Sequence, residues 1–129
     1  MRQNDISGMI VSTAIKIHME LGPGLMESVY ERILCSELRA LGLIVEKQKN
    51  YPVIWKGDPI DFGFKADLVV ENKIIVEIKS IESLAPVHYK QLQTYLKISG
   101  LQVGLLMNFN EEKLKNGLRR VVNNFMPDT

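Results

Sequence analysis

Residues 64–79 read FKADLVVENKIIVEIK. Two runs of apolar and β-branched residues meet at Glu71-Asn72-Lys73, which predicts a tight β-hairpin. Side chains alternate across a strand, so pairing about Asn72 sorts this stretch into two faces. Phe64, Ala66, Leu68 and Val70 then share a side with Ile74, Val76 and Ile78, an expected uninterrupted apolar surface. The other side carries Lys65, Asp67, Glu77 and Lys79, with Val69 and Ile75 nearer the turn. The same symmetry sets Asp67 across from Glu77 and Lys65 across from Lys79.

Opposed side chains in a sheet have Cβ atoms roughly 5 Å apart, where two carboxylates repel by about 3 kcal/mol at an effective dielectric of about 20. Selection for stability alone would avoid such a pair. A divalent cation between the carboxylates removes the repulsion, and hard oxygen ligands suit Mg²⁺ or Mn²⁺. Lys79 follows Glu77 by two residues and projects on the same face. Its amine there can stabilise charge developing on a phosphate or position an attacking water. Asp67, Glu77 and Lys79 are thus the minimum set for metal-assisted phosphodiester hydrolysis. The plainer alternative is a solvated strand face, because alternating charges on strands are usually that and Glu-x-Lys is a common tripeptide.

Four segments read as strands, Leu43 to Lys47, Tyr51 to Trp55, Phe62 to Val70 and Ile74 to Lys79, with Lys56-Gly57-Asp58-Pro59 as a loop. Further back, Ile6, Met9, Ile10, Thr13, Ala14, Ile17 and Leu21 recur at helical spacing over Asp5 to Leu21. Gly22-Pro23-Gly24 stops that helix. A second helix is expected from about Leu25 to Gly42, its stripe formed by Leu25, Val29, Ile33, Leu34, Leu38 and Leu41. Downstream, a third helix spans Pro86 to Ile98, closed by Ser99-Gly100. Val103 to Phe109 (VGLLMNF) suits a strand covered on both faces, Glu111 to Gly117 a short helix, and Leu118 to Phe125 a last strand or tail. The expected order is ααββββαβα, in one α/β domain over residues 1–129.

The 129 residues are 46% apolar and 24% charged, with 9 Gly and 5 Pro, an ordinary globular composition that excludes disordered, collagenous and disulfide-scaffold classes. Sixteen basic against fifteen acidic residues leave a formal charge of +1, so no global field draws in a polyanion. Phosphate contacts must be local, and Lys47, Lys49, Lys56, Lys65, Lys90, Lys97, Lys113, Lys115, Arg119 and Arg120 are either that or scattered surface charge. The single cysteine, Cys35, sits in a helical apolar pattern and is read as a buried thiol, which agrees with a reducing, cytoplasmic location. Asp5, Lys16 and Glu20 interrupt the apolar residues at the N-terminus, so neither a signal peptide nor a membrane span is expected.

The order Asp67, turn, Glu77-Ile78-Lys79, then a helix bearing Gln91-x-x-x-Tyr95 resembles the PD-(D/E)XK nuclease superfamily. Gly24-Leu-Met-Glu27-Ser-Val-Tyr30 resembles the signature of the GxxExxY family within it. The likeness extends through His18, Leu21-Gly22-Pro23-Gly24, Lys65-Ala66-Asp67-Leu68, Pro86-Val87-His88, Tyr95-Leu96-Lys97 and Asn108-Phe109-Asn110, nearly the whole chain. It implies a restriction-endonuclease-like α/β fold: a mixed β-sheet flanked by helices, with two N-terminal helices before the sheet. It implies an endodeoxyribonuclease using Mg²⁺ (or Mn²⁺), with Asp67, Glu77 and Glu27 as metal ligands, Lys79 as the catalytic lysine and Gln91 contacting the scissile region or orienting that lysine. DNA is the implied partner and a homodimer is compatible with so small a domain. The alternative is a non-catalytic module that keeps the fold and binds nucleic acid or protein.

Some positions depart from the pattern. Lys65-Ala66 precede Asp67 where the superfamily name has a proline, and Ile-Asp-Phe-Gly-Phe over residues 60–64 replaces a more polar, glycine-rich stretch. Asp61 is an extra acid or, more simply, a turn aspartate. Tyr95 is read as packing on the sheet, and His18 and His88 as structural hydrogen-bonders; with no Cys/His cluster, zinc is not expected.

Overall fold

The computed structural model describes residues 1–124, apart from the side chains of residues 61 and 62. The expected end of the last strand at Phe125 and the side chain of Asp61 lie outside this description. Helix α1 (Gln3–Leu21) and helix α2 (Glu27–Ala40) precede strands β1 (Val45–Trp55), β2 (Asp58–Val70) and β3 (Ile74–Lys79). Helix α3 (Pro86–Ser99), β4 (Val103–Asn108), a 3-10 turn at Leu114–Gly117 and β5 (Leu118–Val122) follow. Three strands, not four, therefore separate α2 from α3. Gln48-Lys49-Asn50 continues the first strand instead of breaking it, and Asp58-Pro59 already belong to β2, which leaves only Lys56-Gly57 as the turn.

The sheet order is β1-β2-β3-β4-β5, with β3 and β4 parallel and the other pairs antiparallel. The parallel pair is joined through α3, as a parallel connection requires. It forms the centre of the sheet, and every residue of β4 is buried. One face packs on α1 and α2 through Ile6, Ile10, Ala14, Leu34 and Leu38 against Leu68, Val70, Ile74, Val76 and Ile78. The other packs on α3 through Leu92 and Leu96 against Phe64, Ala66, Val69, Ile75 and Leu106.

This division corrects two expectations from the alternation. Phe64 and Ala66 do not share a face with Leu68 and Val70, so the apolar surface is not continuous; the facing changes at Asp67. Val69 and Ile75 are not on a solvated charged face but fully buried beneath α3, because both faces of the sheet are covered. The α2 stripe also differs: Tyr30, Leu34, Cys35 and Leu38 are buried, whereas Val29 and Leu41 are exposed. Glu31 is buried in the same stripe, one helical turn after Glu27.

Gly104 in β4 lets α3 approach the sheet. A Cβ there would lie 2.8 Å from Leu92 Cδ1 and 2.9 Å from Leu92 Cγ, inside contact distance of a side chain that is itself fully buried. Gly104→Ala is therefore expected to destabilise the domain by about 1–3 kcal/mol, the usual cost of overpacking. Combining it with Leu92→Ala should cost less than the two single changes added together, as measured by chemical denaturation in a double-mutant cycle.

Candidate active site

The site begins where the β2–β3 ladder stops. Backbone pairing runs from Val70/Ile74 to Leu68/Val76 and does not continue to Asp67 and Glu77, nor therefore to the expected Lys65/Lys79 pair. At that point the carboxylates replace the ladder. The Asp67 N–H donates to Glu77 Oε2 at 2.8 Å, and the Ile78 N–H donates to Asp67 Oδ2 at 2.8 Å. On the other side, the β1–β2 ladder skips Gln48, whose φ of 52° is left-handed, between the pairs Lys47/Leu68 and Lys49/Ala66. Asp67 thus lies at an interruption on both edges of its strand, which is why the facing of β2 changes there.

An open cleft of about 680 Å³ lies over this interruption, lined by Glu27, Ser28, Glu31, Gln48, Asp67, Ser80 and Asn110 with the 24–26 backbone segment. Each wall is fixed by local bonds. Gly24, with φ of 101°, supplies the left-handed turn between the first two helices, a conformation that disfavours other residues. The Tyr30 hydroxyl donates to Gly22 O at 2.6 Å and accepts from the Leu25 N–H at 3.1 Å, while its ring stacks on Phe109 at 4.5 Å. Ser80 Oγ donates to Leu25 O at 2.7 Å, and the Ser80 N–H donates to Glu27 Oε2 at 3.2 Å. Gly24, Glu27 and Tyr30 are therefore one device: the turn, the clamp that holds it, and the carboxylate it delivers to the end of β3.

Gln48 Nε2 donates to Glu31 Oε1 at 2.7 Å and to Asp67 Oδ1 at 3.2 Å, so one amide bridges two carboxylates. Burial raises the pKa of Glu31, and the Asp67 charge raises it further. Asp67 is also raised, chiefly by burial, with Ile78, Gln48 and Lys79 opposing. Glu77, 6% exposed, is pushed up to about 8 by burial and then by Asp67, against the Asp67 amide and Lys79. Lys79 acts on both carboxylates through its field; the one ion pair among the described residues is Lys49 with Glu46. The Tyr95 phenol is raised as well, by burial and by the same two carboxylates, and its ring stacks on Phe64 at 3.9 Å.

Asp67, Glu77, Lys79 and Glu27 thus converge on one end of β3. Of the expected set only Glu27 and Asp67 line the cleft; Glu77 and Lys79 lie behind its lining on β3, and Gln91 is exposed on α3 and also does not line it. His18 is buried, with Nε2 2.8 Å from Glu111 O, and His88 Nδ1 accepts the Ala85 N–H at 2.9 Å at the start of α3. Both histidines are engaged in structural bonds. Three polar residues of the cleft, Glu31, Gln48 and Ser80, are absent from the sequence reading. Glu31 was detectable in principle as a carboxylate at helical spacing from Glu27 within a buried stripe, whereas nothing local marks Gln48.

Among the described residues no three His, Cys, Asp or Glu side chains already converge as a metal cage. The donor set nonetheless fits a hard divalent cation. It is all oxygen and in excess of nearby positive charge; Glu77 commits only Oε2 to a backbone amide, and Asp67, whose Oδ2 takes the Ile78 amide, offers Oδ1 through the longer 3.2 Å bond from Gln48. A carboxyl whose folded pKa exceeds its unfolded one binds more protons when folded, so its contribution to stability is full below the unfolded value and is lost as pH rises to the folded one. Glu77 places that window between about 4.5 and 8. In chelator, thermal stability is expected to fall across it. Glu77→Gln should flatten that slope and melt at least ~4 °C higher than the wild type at the alkaline end, about what 1 kcal/mol is worth at this size. Thermal melts against pH check this.

Residues 4–121 match a family model for the PD-(D/E)XK nuclease superfamily. No curated protein matches the chain. A solved structure, the crystal structure of SSO0001, aligns with 94% of this chain and 79% of its own at 16% identity and a TM-score of 0.49. With nearly all of its length under the family model, and with a mixed sheet flanked by helices that carries Asp67 and Glu77-x-Lys79 at one end, this chain belongs to the PD-(D/E)XK nuclease superfamily.

Proposed function

We propose that the domain is a Mg²⁺- or Mn²⁺-dependent nuclease that hydrolyses phosphodiester bonds in DNA. The observation that carries this reading is the reciprocal Asp67–Glu77 arrangement. Two carboxylates, Glu77 buried and Asp67 half-buried, are locked to each other's strand by backbone amides in the field of a lysine, and Asp67 lines an open cleft. Both are costly to ionise without a cation, as their raised pKa values record. Holding the two amides does not require charge, since neutral Asn and Gln side chains would accept the same bonds without the repulsion.

A divalent ion held by Asp67 and Glu77, with Glu27 nearby, would supply Lewis acidity toward a phosphate oxygen and an attacking water. The protein's own groups do the rest. Lys79 places a positive charge beside both carboxylates, where it balances charge that builds on the phosphate. Gln48 holds Asp67 and Glu31 in fixed relation, and the Tyr30 clamp keeps Glu27 at the end of β3. Gln91, exposed on α3 one helical turn before Tyr95, keeps its proposed role of contacting the scissile region or orienting Lys79. No helix among the described residues is long and apolar enough to cross a membrane; a cytoplasmic site of action on DNA is part of the same proposal.

Cleavage of labelled linear, single-stranded, branched and supercoiled DNA with Mn²⁺ or Mg²⁺ tests it. The wild type should nick or cut; chelator and Glu77→Gln should each abolish the activity, and Lys79→Ala should lower the rate by about 100-fold or more. Activity that rises more steeply than protein concentration would show a dimer to be the active form. A wild type inert on every substrate, yet still binding DNA, would overturn the nuclease assignment in favour of a binding module.

A further inference from the structure

The β1–β2 hairpin continues past the sheet as an arm. β3 pairs only with Leu68 to Val70, whereas β1 and β2 stay paired out to Trp55 and Asp58. Between Tyr51/Phe64 and Val53/Ile60 a single β1 residue, Pro52, faces three on β2, a bulge of the kind that bends a strand. Gly63 makes it possible: a Cβ there would fall 2.7 Å from Tyr51 O.

Beyond the bulge, residues 54–60 are all exposed, including Ile54 at 61%, Trp55 at 65% and Ile60 at 51%. Register places Val53, Trp55, Asp58 and Ile60 on one side of the tip and Ile54 with Pro59 on the other. The tip is apolar on both sides, and neither hydrophobic core includes any of it. A strand pair that packs on nothing gains nothing in folding from three large apolar side chains, and a cluster of this kind marks a contact surface.

The chemistry around it favours one occupant. Lys56 Nζ stands 5.8 Å from the centre of the Trp55 ring, and Asp58 is the one described carboxylate at the tip. Toward the cleft, Lys47 and Lys65 are exposed, and among the described side chains the only ion pair on the arm is Lys49 with Glu46. Lys65 is two residues from Asp67, on the strand that carries that carboxylate into the cleft. Cations thus follow the strands out of the site and end at a near-neutral aromatic tip. This order fits a chain of phosphates with bases that can stack.

We propose that the β1–β2 tip is a wedge for unpaired bases, with Trp55 stacking on an open base and Ile54 and Ile60 filling the space beside it. The substrate class of the cleft is then DNA with a single-stranded segment, such as a fork or flap, because an uninterrupted duplex offers no free base face. Only the cleavage part rests on the nuclease reading. From Gln48 to Trp55 is seven residues, at most about 23 Å of strand, or about seven nucleotide steps.

Trp55 is the sole tryptophan, so its emission reports on the tip directly. Glu77→Gln protein in chelator, titrated with single-stranded, forked and fully paired oligonucleotides, should be quenched by the first two and not by the third. By fluorescence anisotropy of labelled forks, Trp55→Ala should bind about ten-fold more weakly and Trp55→Phe close to wild type, with thermal melts unchanged. In Mn²⁺, cuts should fall within about seven nucleotides of the junction, and Trp55→Ala should lose the preference for forks over duplex. Absence of quenching by every oligonucleotide, or equal fork affinity of Trp55→Ala, overturns the wedge even if cleavage is robust. Self-association in sedimentation that Trp55→Ala abolishes, without quenching, overturns it in favour of a second copy of this chain. Quenching with no cleavage by any metal form sinks the nuclease reading and leaves the wedge standing.

Discussion

Two side chain to backbone bonds organise this molecule: the Asp67 amide on Glu77 and the Ile78 amide on Asp67. A β-ladder satisfies amides with carbonyls and leaves side chains free to alternate. Here the carboxylates take the place of carbonyls for one step, so β2 and β3 can diverge without orphaning the Asp67 or Ile78 N–H. Two consequences follow from the same exchange. β2 turns its facing at Asp67, which hands Phe64 and Ala66 to the α3 core and Leu68 and Val70 to the α1–α2 core. The carboxylates, fixed by their backbone bonds, cannot swing away from each other or into solvent.

That rigidity explains the electrostatics. Burial raises the pKa of both Glu77 and Asp67; the Asp67 charge raises Glu77 further, and the Glu27 charge raises Asp67. Glu31, drawn in by Gln48, adds a second raised carboxylate beside Asp67 to the cleft lining. A folded chain accumulates such groups at functional sites, where charge partners arrive from outside. The remaining structure supports this concentration. Tyr30, stacked on Phe109 and bonded to both sides of the Gly22–Leu25 turn, anchors the element that delivers Glu27. A second stack, Tyr51 on Phe64 at 5.0 Å and Phe64 on Tyr95, ties the base of the β1–β2 arm to α3. The arm thus leaves the sheet from a rigid root next to the cleft.

Much of this was legible in the chain itself. Hydrophobic spacing gives the three helices to within two residues, since a buried helical stripe repeats over several turns and no other structure accommodates it. The hairpin about Asn72 and the Asp67–Glu77 juxtaposition follow from counting, because strand register moves in whole residues and a turn of known centre fixes it. The apolar run at residues 103–109 reads as a covered strand for the same reason. Where the expectation failed, a local irregularity had broken the period. The facing change at Asp67 spoiled the continuous apolar face, and Gln48 in a left-handed conformation carried β1 through a segment that resembled a break.

The sequence by itself determined which residues are neighbours along an element: the helical stripes, the hairpin, and the order Asp67, Glu77, Lys79, to which a family likeness could be attached. Only the tertiary structure decided which of them meet across elements. That α2 presents Glu31 as well as Glu27, that Gln48 reaches both Glu31 and Asp67, that Gln91 stays outside the cleft, and that Trp55 stands uncovered on an arm are outcomes of packing between segments 17 or more residues apart in the case of Gln48 and Glu31. The physical reason is one of range. Periodicity and turn chemistry act over a few residues, whereas desolvation and hydrogen-bond competition act between whichever surfaces the completed core brings together.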